Sequence, residues 1–149
     1  MSDAARPLAL GLLDVLVGEW TQQVTGHGDP TGTVTFEWGL GDAYLLQRST
    51  LPPPFPESLG VIEFDESTSD FRLHYFDSRG VTRLYRMTFS GSDWTLLRTE
   101  PDFSELSFAQ RYVGTIADDG RSVEGRWEQS HDGGATWEVD FGLRFERRP

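Results

Sequence analysis

The chain contains no cysteine. This excludes disulfides, zinc–thiolate sites and thiol nucleophiles, and it fits a reducing compartment. Long apolar runs are missing too. The run nearest the start, Leu8 to Leu16, is far too short to span a bilayer, and Met1 to Pro7 lack the basic-then-apolar pattern of a secretory signal. The sequence therefore predicts a soluble, cytoplasmic protein. Basic residues are scarce: 13 face 24 acidic ones, giving a formal net charge of −11. A nucleic-acid binder needs a basic footprint that displaces counterions from phosphate, so neither nucleic acid nor a membrane surface is an expected partner. The negative charge reads as solubility. Enzyme signatures are absent as well. The chain has no Gly-x-Ser-x-Gly, no phosphate-cradling glycine loop, no Gly-x-Gly-x-x-Gly and no two histidines at metal-ligand spacing.

What is present is 149 residues, one ordinary domain, with five Trp, ten Phe and four Tyr. One helical segment is predicted at the start. Pro7 suits a first helical turn, Leu8, Leu12, Leu13 and Leu16 follow helical spacing, and Gly18 ends it. Strands follow. Trp20–Val24, Val34–Trp38, Tyr44–Thr50, Gly60–Phe64, Phe71–Phe76, Val81–Phe89, Trp94–Thr99, Leu106–Thr115, Ser122–Gln129 and Trp137–Phe145 are rich in β-branched and aromatic residues. The links between them, such as Asp77-Ser78-Arg79-Gly80 and Asp118-Asp119-Gly120, are short turn sequences. Short links make neighbouring strands antiparallel. About ten such strands, with no second helical layer, must stack as two sheets or close on themselves.

Two links carry more information. Ser130, Asp132, Gly134, Thr136 and Trp137 spell Ser-x-Asp-x-Gly-x-Thr-Trp. This looks like an Asp box, a hairpin turn closed by its aspartate with the Trp beneath. Propellers that carry the motif repeat it in every blade; here it occurs once. Pro52-Pro53-Pro54-Phe55-Pro56 cannot join a central strand. It reads as a stiff polyproline-like loop, with a proline-recognition ligand as the alternative.

Leu13, Leu16, Gly18 and Trp20, a short helix followed by Gly-x-Trp, resemble the opening of lipocalin-like barrels, in which the Trp plugs one end. Tyr75-Phe76-Asp77-Ser78-Arg79-Gly80-Val81, Gln110-Arg111, Asp118-Asp119-Gly120-Arg121, Gly125-Arg126-Trp127-Glu128 and Trp137-Glu138-Val139-Asp140-Phe141 are similar to a bacterial lipocalin-like (calycin) family known as domain of unknown function 1579. The resemblance runs from Leu8 to Arg147. It implies an all-β, about ten-stranded, antiparallel up-and-down barrel with a short N-terminal helix, ordered over 8–147 in a single domain. It also implies a basic residue of the last strand lying over Trp20, for which Arg144 is the candidate. The family implies no reaction. A more distant resemblance is to nitrobindin and fatty-acid-binding-protein-like barrels; haem binding would need a histidine on the cavity wall.

Alternation assigns side chains to faces. Trp20, Gln22 and Val24 share one; so do Val34, Phe36 and Trp38; Arg83, Tyr85 and Met87; Phe108, Gln110 and Tyr112; and Val123, Trp127 and Gln129. Tyr44, Leu46 and Arg48 form a further row of undetermined direction. Arginine on an aromatic face either points outward to an acid or anchors an anionic ligand. The candidate ligand-binding residues are Arg83, Tyr85, Gln110, Tyr112, Trp38, Trp127, Arg48 and Phe55, the last at the mouth. His27 and His131 fall in turns, and the face of His74 is ambiguous. The expected function is binding of an apolar or amphipathic small molecule in the barrel cavity, with an anionic one such as a fatty acid or polyketide acid among the candidates. No metal or cofactor is called for, and the protein would be a monomer or homodimer. The alternatives are an enzyme using the same cavity, such as a cyclase or isomerase, a haem-binding barrel, and an interaction protein with a filled core.

Overall fold

The computed structural model describes residues 8–103 and 105–149. Ten strands follow one another: β1 (Gly18–Thr25), β2 (Thr31–Gly39), β3 (Tyr44–Thr50), β4 (Ser58–Asp65), β5 (Asp70–Asp77), β6 (Thr82–Phe89), β7 (Asp93–Arg98), β8 (Ala109–Ile116), β9 (Ser122–Ser130) and β10 (Glu138–Arg147). Each pairs antiparallel with its neighbour in sequence, and β10 returns to β1, so the sheet closes as an up-and-down barrel. Closure leaves no strand edge exposed.

The segment before β1, Leu8–Leu16, is a 3-10 helix. Its three-residue period brings Leu10, Leu13 and Leu16 onto the buried side, while Leu8 is 97 % and Leu12 47 % exposed. The sequence pattern had placed Leu8 and Leu12 on the apolar side; the tighter helix turns them out. Pro7 lies outside the described residues. Gly18 takes φ +128°, and a Cβ on it would meet the Arg147 guanidinium, so glycine is needed at this junction.

The helix and Trp20 close one end of the barrel. Trp20 is fully buried and donates its indole N–H to the Leu16 carbonyl at 2.8 Å. The cation over its ring is Arg147, with Cζ 4.2 Å from the ring centroid. Arg147 also donates to the carbonyls of Val17 (2.7 Å), Gly120 (3.2 Å) and Val15. Arg144, the residue expected there, is on the outer face with Glu124 (2.9 Å) and Glu146 (3.2 Å). Strand alternation gives the reason: Arg147 shares the parity of the buried Phe145, and Arg144 does not.

Above this plug the interior is solid. Trp94 sits among Phe36, Phe89, Tyr112 and Phe145, at ring-centroid distances of 5.4 to 6.2 Å. Tyr112 lies flat over Gly114 and Gly125, which face each other on β8 and β9. A Cβ at either glycine would clash with its ring.

Candidate functional site

The other end of the barrel is hollow. A cavity of about 440 Å³ opens there, in the size range of small-molecule sites. Its depth is set by the inner rows of the strands, whose side chains become smaller or more polar toward the mouth. On β1 the row reads Trp20, Gln22, Val24; on β3 it reads Leu45, Gln47, Ser49; and on β4, approached from the closed end, Ile62, Gly60, Ser58. On β6 it is Met87, Tyr85, Arg83. The solid core therefore ends where bulky apolar residues give way to polar and small ones.

Leu73, Leu96 and the ring of Tyr85, joined by Trp127 and Leu143, form an apolar part of the lining, with Gln22 buried beside it. Tyr85 packs 5.4 Å from Trp127 and donates its hydroxyl to Gln110 Oε1 at 3.3 Å. Burial pushes the Tyr85 phenol up to about 12. The Tyr75 phenol is raised by burial and by its 2.8 Å bond to the Asp77 carboxylate. Both phenols therefore remain protonated at neutral pH, as hydrogen-bond donors rather than bases. Gln22 donates its amide to the carbonyls of Thr33 and Thr50, both at 3.1 Å.

The rim is built by loops. Phe55 and Pro56, from the proline-rich link, line it. The link turns back on itself, with Phe55 N–H donating to the Pro52 carbonyl at 3.1 Å, rather than running out as an extended polyproline segment. Arg79 clasps Asp77 at 2.7 Å. Burial acts to raise the Asp77 carboxyl, but bonds from Arg79, Tyr75 and the turn amides outweigh it and hold it at about 2. A bulge on β10 between Val139 and Phe141 turns Asp140 toward the rim, where its carbonyl lies 3.1 Å from His27 Nε2. The long link 99–108 is fastened by a buried pair. Arg98 grips Asp102 through two bonds of 2.8 and 2.9 Å, and Asp102 also accepts the Leu84 N–H at 2.9 Å.

The Asp box forms the β9–β10 turn at this same end. Asp132 accepts the Thr136 N–H at 2.8 Å and the Ser130 hydroxyl at 2.7 Å; Ser130 accepts the Gly134 N–H at 2.9 Å. The bonds from Thr136, helped by Ser130, bring the Asp132 carboxyl down to about 2. Trp137 donates to the Gly134 carbonyl at 3.1 Å and is covered by Arg111 at 4.2 Å.

Of the eight residues singled out from the sequence, five line the cavity: Arg83, Tyr85, Gln110, Trp127 and Phe55. Arg83 faces inward rather than out, and its Nη1 donates to the Thr82 carbonyl at 3.1 Å. The other three do not line it. Tyr112 is packed in the solid core, with its hydroxyl on the Leu143 carbonyl at 3.2 Å. Trp38 is at the plugged end, donating to Asp14 at 2.9 Å. Arg48 is outside, 3.5 Å from Glu37; on β3 it is the row of Leu45, Gln47 and Ser49 that faces in. The sequence reading missed Gln47, Ser49, Ser58 and Tyr75 on the wall and Arg79 at the rim. Among the histidines, His74 is on the outer face 3.5 Å from Glu63, His131 is exposed on the Asp-box turn, and His27 is in a rim turn.

No family model and no curated protein matches this sequence. Among solved structures, the chain is similar to the crystal structure of Rv2717c from M. tuberculosis. The identity is 15 %, the TM-score is 0.65, and the match covers 95 % of this chain and 98 % of that one. At that identity the likeness speaks for the fold alone, and it makes this chain a closed ten-stranded β-barrel with a short N-terminal helix.

Proposed function

We propose that the chain binds one small amphipathic molecule in the open half of its barrel. The observation that carries this reading is the cavity of about 440 Å³ with an apolar floor and a polar wall, in a barrel whose other half is filled. A filled-core interaction protein would have no use for that void, because unfilled volume costs packing energy. Leu73, Leu96, Leu143 and Trp127 would hold the apolar part of the ligand, and the Arg83 guanidinium an anionic group. Nothing in the site favours catalysis over binding. The haem alternative needs a histidine reaching in from the wall, and the three histidines lie outside or at the rim, so the proposal is an organic ligand without haem. The Gly18-x-Trp20 plug and the closed up-and-down barrel support kinship with the lipocalin-like family of unknown function 1579, and the cysteine-free composition fits a cytoplasmic site of action.

The test is a fluorescence titration with 1-pyrenebutanoic acid and its methyl ester. A carboxylate paired with a desolvated guanidinium is worth about 1.5–3 kcal/mol. Arg83→Ala should therefore weaken the acid roughly ten- to a hundredfold and leave the ester nearly unchanged. Equal losses for both would remove Arg83 as the anion anchor. No binding of either to the unmodified protein would remove the proposal.

A further inference from the structure

The polar side chains of the cavity fall into two sets according to what they already bond. Tyr85 donates to Gln110, Tyr75 and Arg79 hold Asp77, and Gln22 gives its amide hydrogens to Thr33 and Thr50. On β3 and β4 this stops. Gln47, Ser49 and Ser58 all line the cavity, and none of their side chains has a hydrogen-bond partner among the described residues. Gln47 Oε1 is also shielded from solvent. The three are adjacent: Ser49 faces Ser58 in register, and Gln47 faces Gly60. Gly60 leaves room for Leu73, since a Cβ there would sit 2.7 Å from Leu73 Cδ1 and only in ordinary contact, 3.5 Å, with Gln47 Oε1.

A shielded amide oxygen without a partner lowers stability, and folded proteins contain few of them. A shielded acceptor without a partner, flanked by two serine hydroxyls that bond nothing else in the described protein, is better explained by a molecule that supplies the partners than by packing. The ring order places β4 five strands from β9, directly across the barrel from Trp127, and β3 across from β8. One wall thus presents a shielded acceptor, Gln47 Oε1, beside two serine hydroxyls, and the wall facing it presents the Trp127 ring and Gln110.

We propose that Gln47, Ser49 and Ser58 form the ligand's hydrogen-bonding edge, and that the ligand is a flat, largely apolar acid carrying hydroxyl or carbonyl groups along one side. This rests on the cavity being a binding site and narrows its ligand class. A plain aliphatic acid would leave the strip unsatisfied; a hydroxylated polycyclic acid would satisfy it while stacking against Trp127. Gln47 can both donate and accept, and so can each serine, so hydroxyls and ring carbonyls are both served.

The test compares anthracene-2-carboxylic acid, whose rings carry no oxygen, with a polyhydroxylated anthraquinone-2-carboxylic acid by calorimetric titration. Two or three added hydrogen bonds should make the hydroxylated acid roughly ten- to a hundredfold tighter. The triple variant Gln47→Leu, Ser49→Ala, Ser58→Ala should erase that gap while binding the parent acid as before. Gln47→Leu alone provides a check independent of ligand. Removing an unpartnered amide should raise the melting temperature of the free protein by about 2–4 °C, while weakening only the hydroxylated acid. Equal affinities in the unmodified protein, or a gap that survives the triple substitution, would overturn the edge assignment and leave the binding reading standing. If neither acid binds, both readings fall.

Discussion

At the end of the barrel that holds Trp20, the strands are joined by the tight links 40–43, 66–69, 90–92 and 117–121, and the interior is filled by Trp94, Phe36, Phe145 and the three leucines of the 3-10 helix. At the opposite end the links are 26–30, 51–57, 78–81, 99–103 with 105–108, and 131–137, and residues of the first four reach the rim of a void. The same ten strands run through both ends. The backbone architecture therefore does not decide which half is packed. The side chains of each inner row decide it, residue by residue, as tryptophan, phenylalanine and isoleucine give way to glutamine, serine and glycine. Capped turns hold both ends, at Asp65 and Asp119 around the packed half and at Asp77 and Asp132 around the hollow one.

Four substitutions can break or sharpen this contrast. The largest effects should come from the centre of each half. Trp94→Ala should cost about 3–5 kcal/mol in denaturant unfolding, as for other large-to-small changes in a packed core. Asp102→Ala should cost about as much, roughly 3–5 kcal/mol, because it takes two charge-assisted bonds from the buried Arg98 guanidinium and the acceptor from the Leu84 N–H. The Asp102 loss would show that the hollow end has its own anchoring; a change below about 1 kcal/mol would mean that the clamp is dispensable. Arg147→Met comes next, at about 2–3 kcal/mol for the lost bonds to carbonyls and the lost cation–π contact. Trp127→Ala should cost less than half of the Trp94 value, because one side of its ring already faces the void. It should nevertheless abolish most ligand binding, and an equal stability loss at both tryptophans would mean that the cavity is filled in solution.

The smallest effect is acid sensitivity. Asp77 and Asp132, both at the open end, are held at about 2 against an ordinary 3.8. Their pKa values are lowered on folding, so their contribution is complete above about pH 4 and is lost as pH falls toward 2. The double variant Asp77→Asn, Asp132→Asn should therefore show a smaller fall in denaturation midpoint across that window than the unmodified protein. Asp65, lowered to about 2 by Ser67 and Arg72 at the closed end, retains its share in both.

All ten strands, the helix and the Asp-box turn were legible in the sequence because period-two alternation and turn chemistry are local signals. The cavity was legible only in part. On β6 and β8 an aromatic row containing Arg83 or Gln110 showed which face was unusual. On β3 the pattern left the direction of the Tyr44, Leu46 and Arg48 row open, because Tyr44 and Leu46 are more apolar than Gln47 and Ser49, and Arg48, a candidate from that row, proves to be outside. A hollow strand inverts that rule, because its inner residues meet a ligand or water rather than a core. Trp38 and Tyr112 were assigned to the correct face and the wrong depth. Depth depends on barrel stagger and on the glycine pair under Tyr112, neither of which a single strand reveals. The Arg144 error was one of phase, since counting back from the buried Phe145 selects Arg147.

The contact between Arg147 and Trp20 also bears on how the chain reaches its native state. Every other strand pair joins neighbours in sequence, whereas β1 and β10 bring Trp20 opposite Arg147, and the guanidinium reaches the carbonyls of Val15 and Val17. This seam carries the greatest loop-closure entropy in the molecule, so it should zip last, after the hairpins have formed. A clasp made after the rate-limiting step leaves the folding rate alone and slows opening. Arg147 therefore acts chiefly on the lifetime of the closed ring, and the amides along β1 and β10 should be the first of the barrel to exchange with solvent deuterium when that clasp is removed.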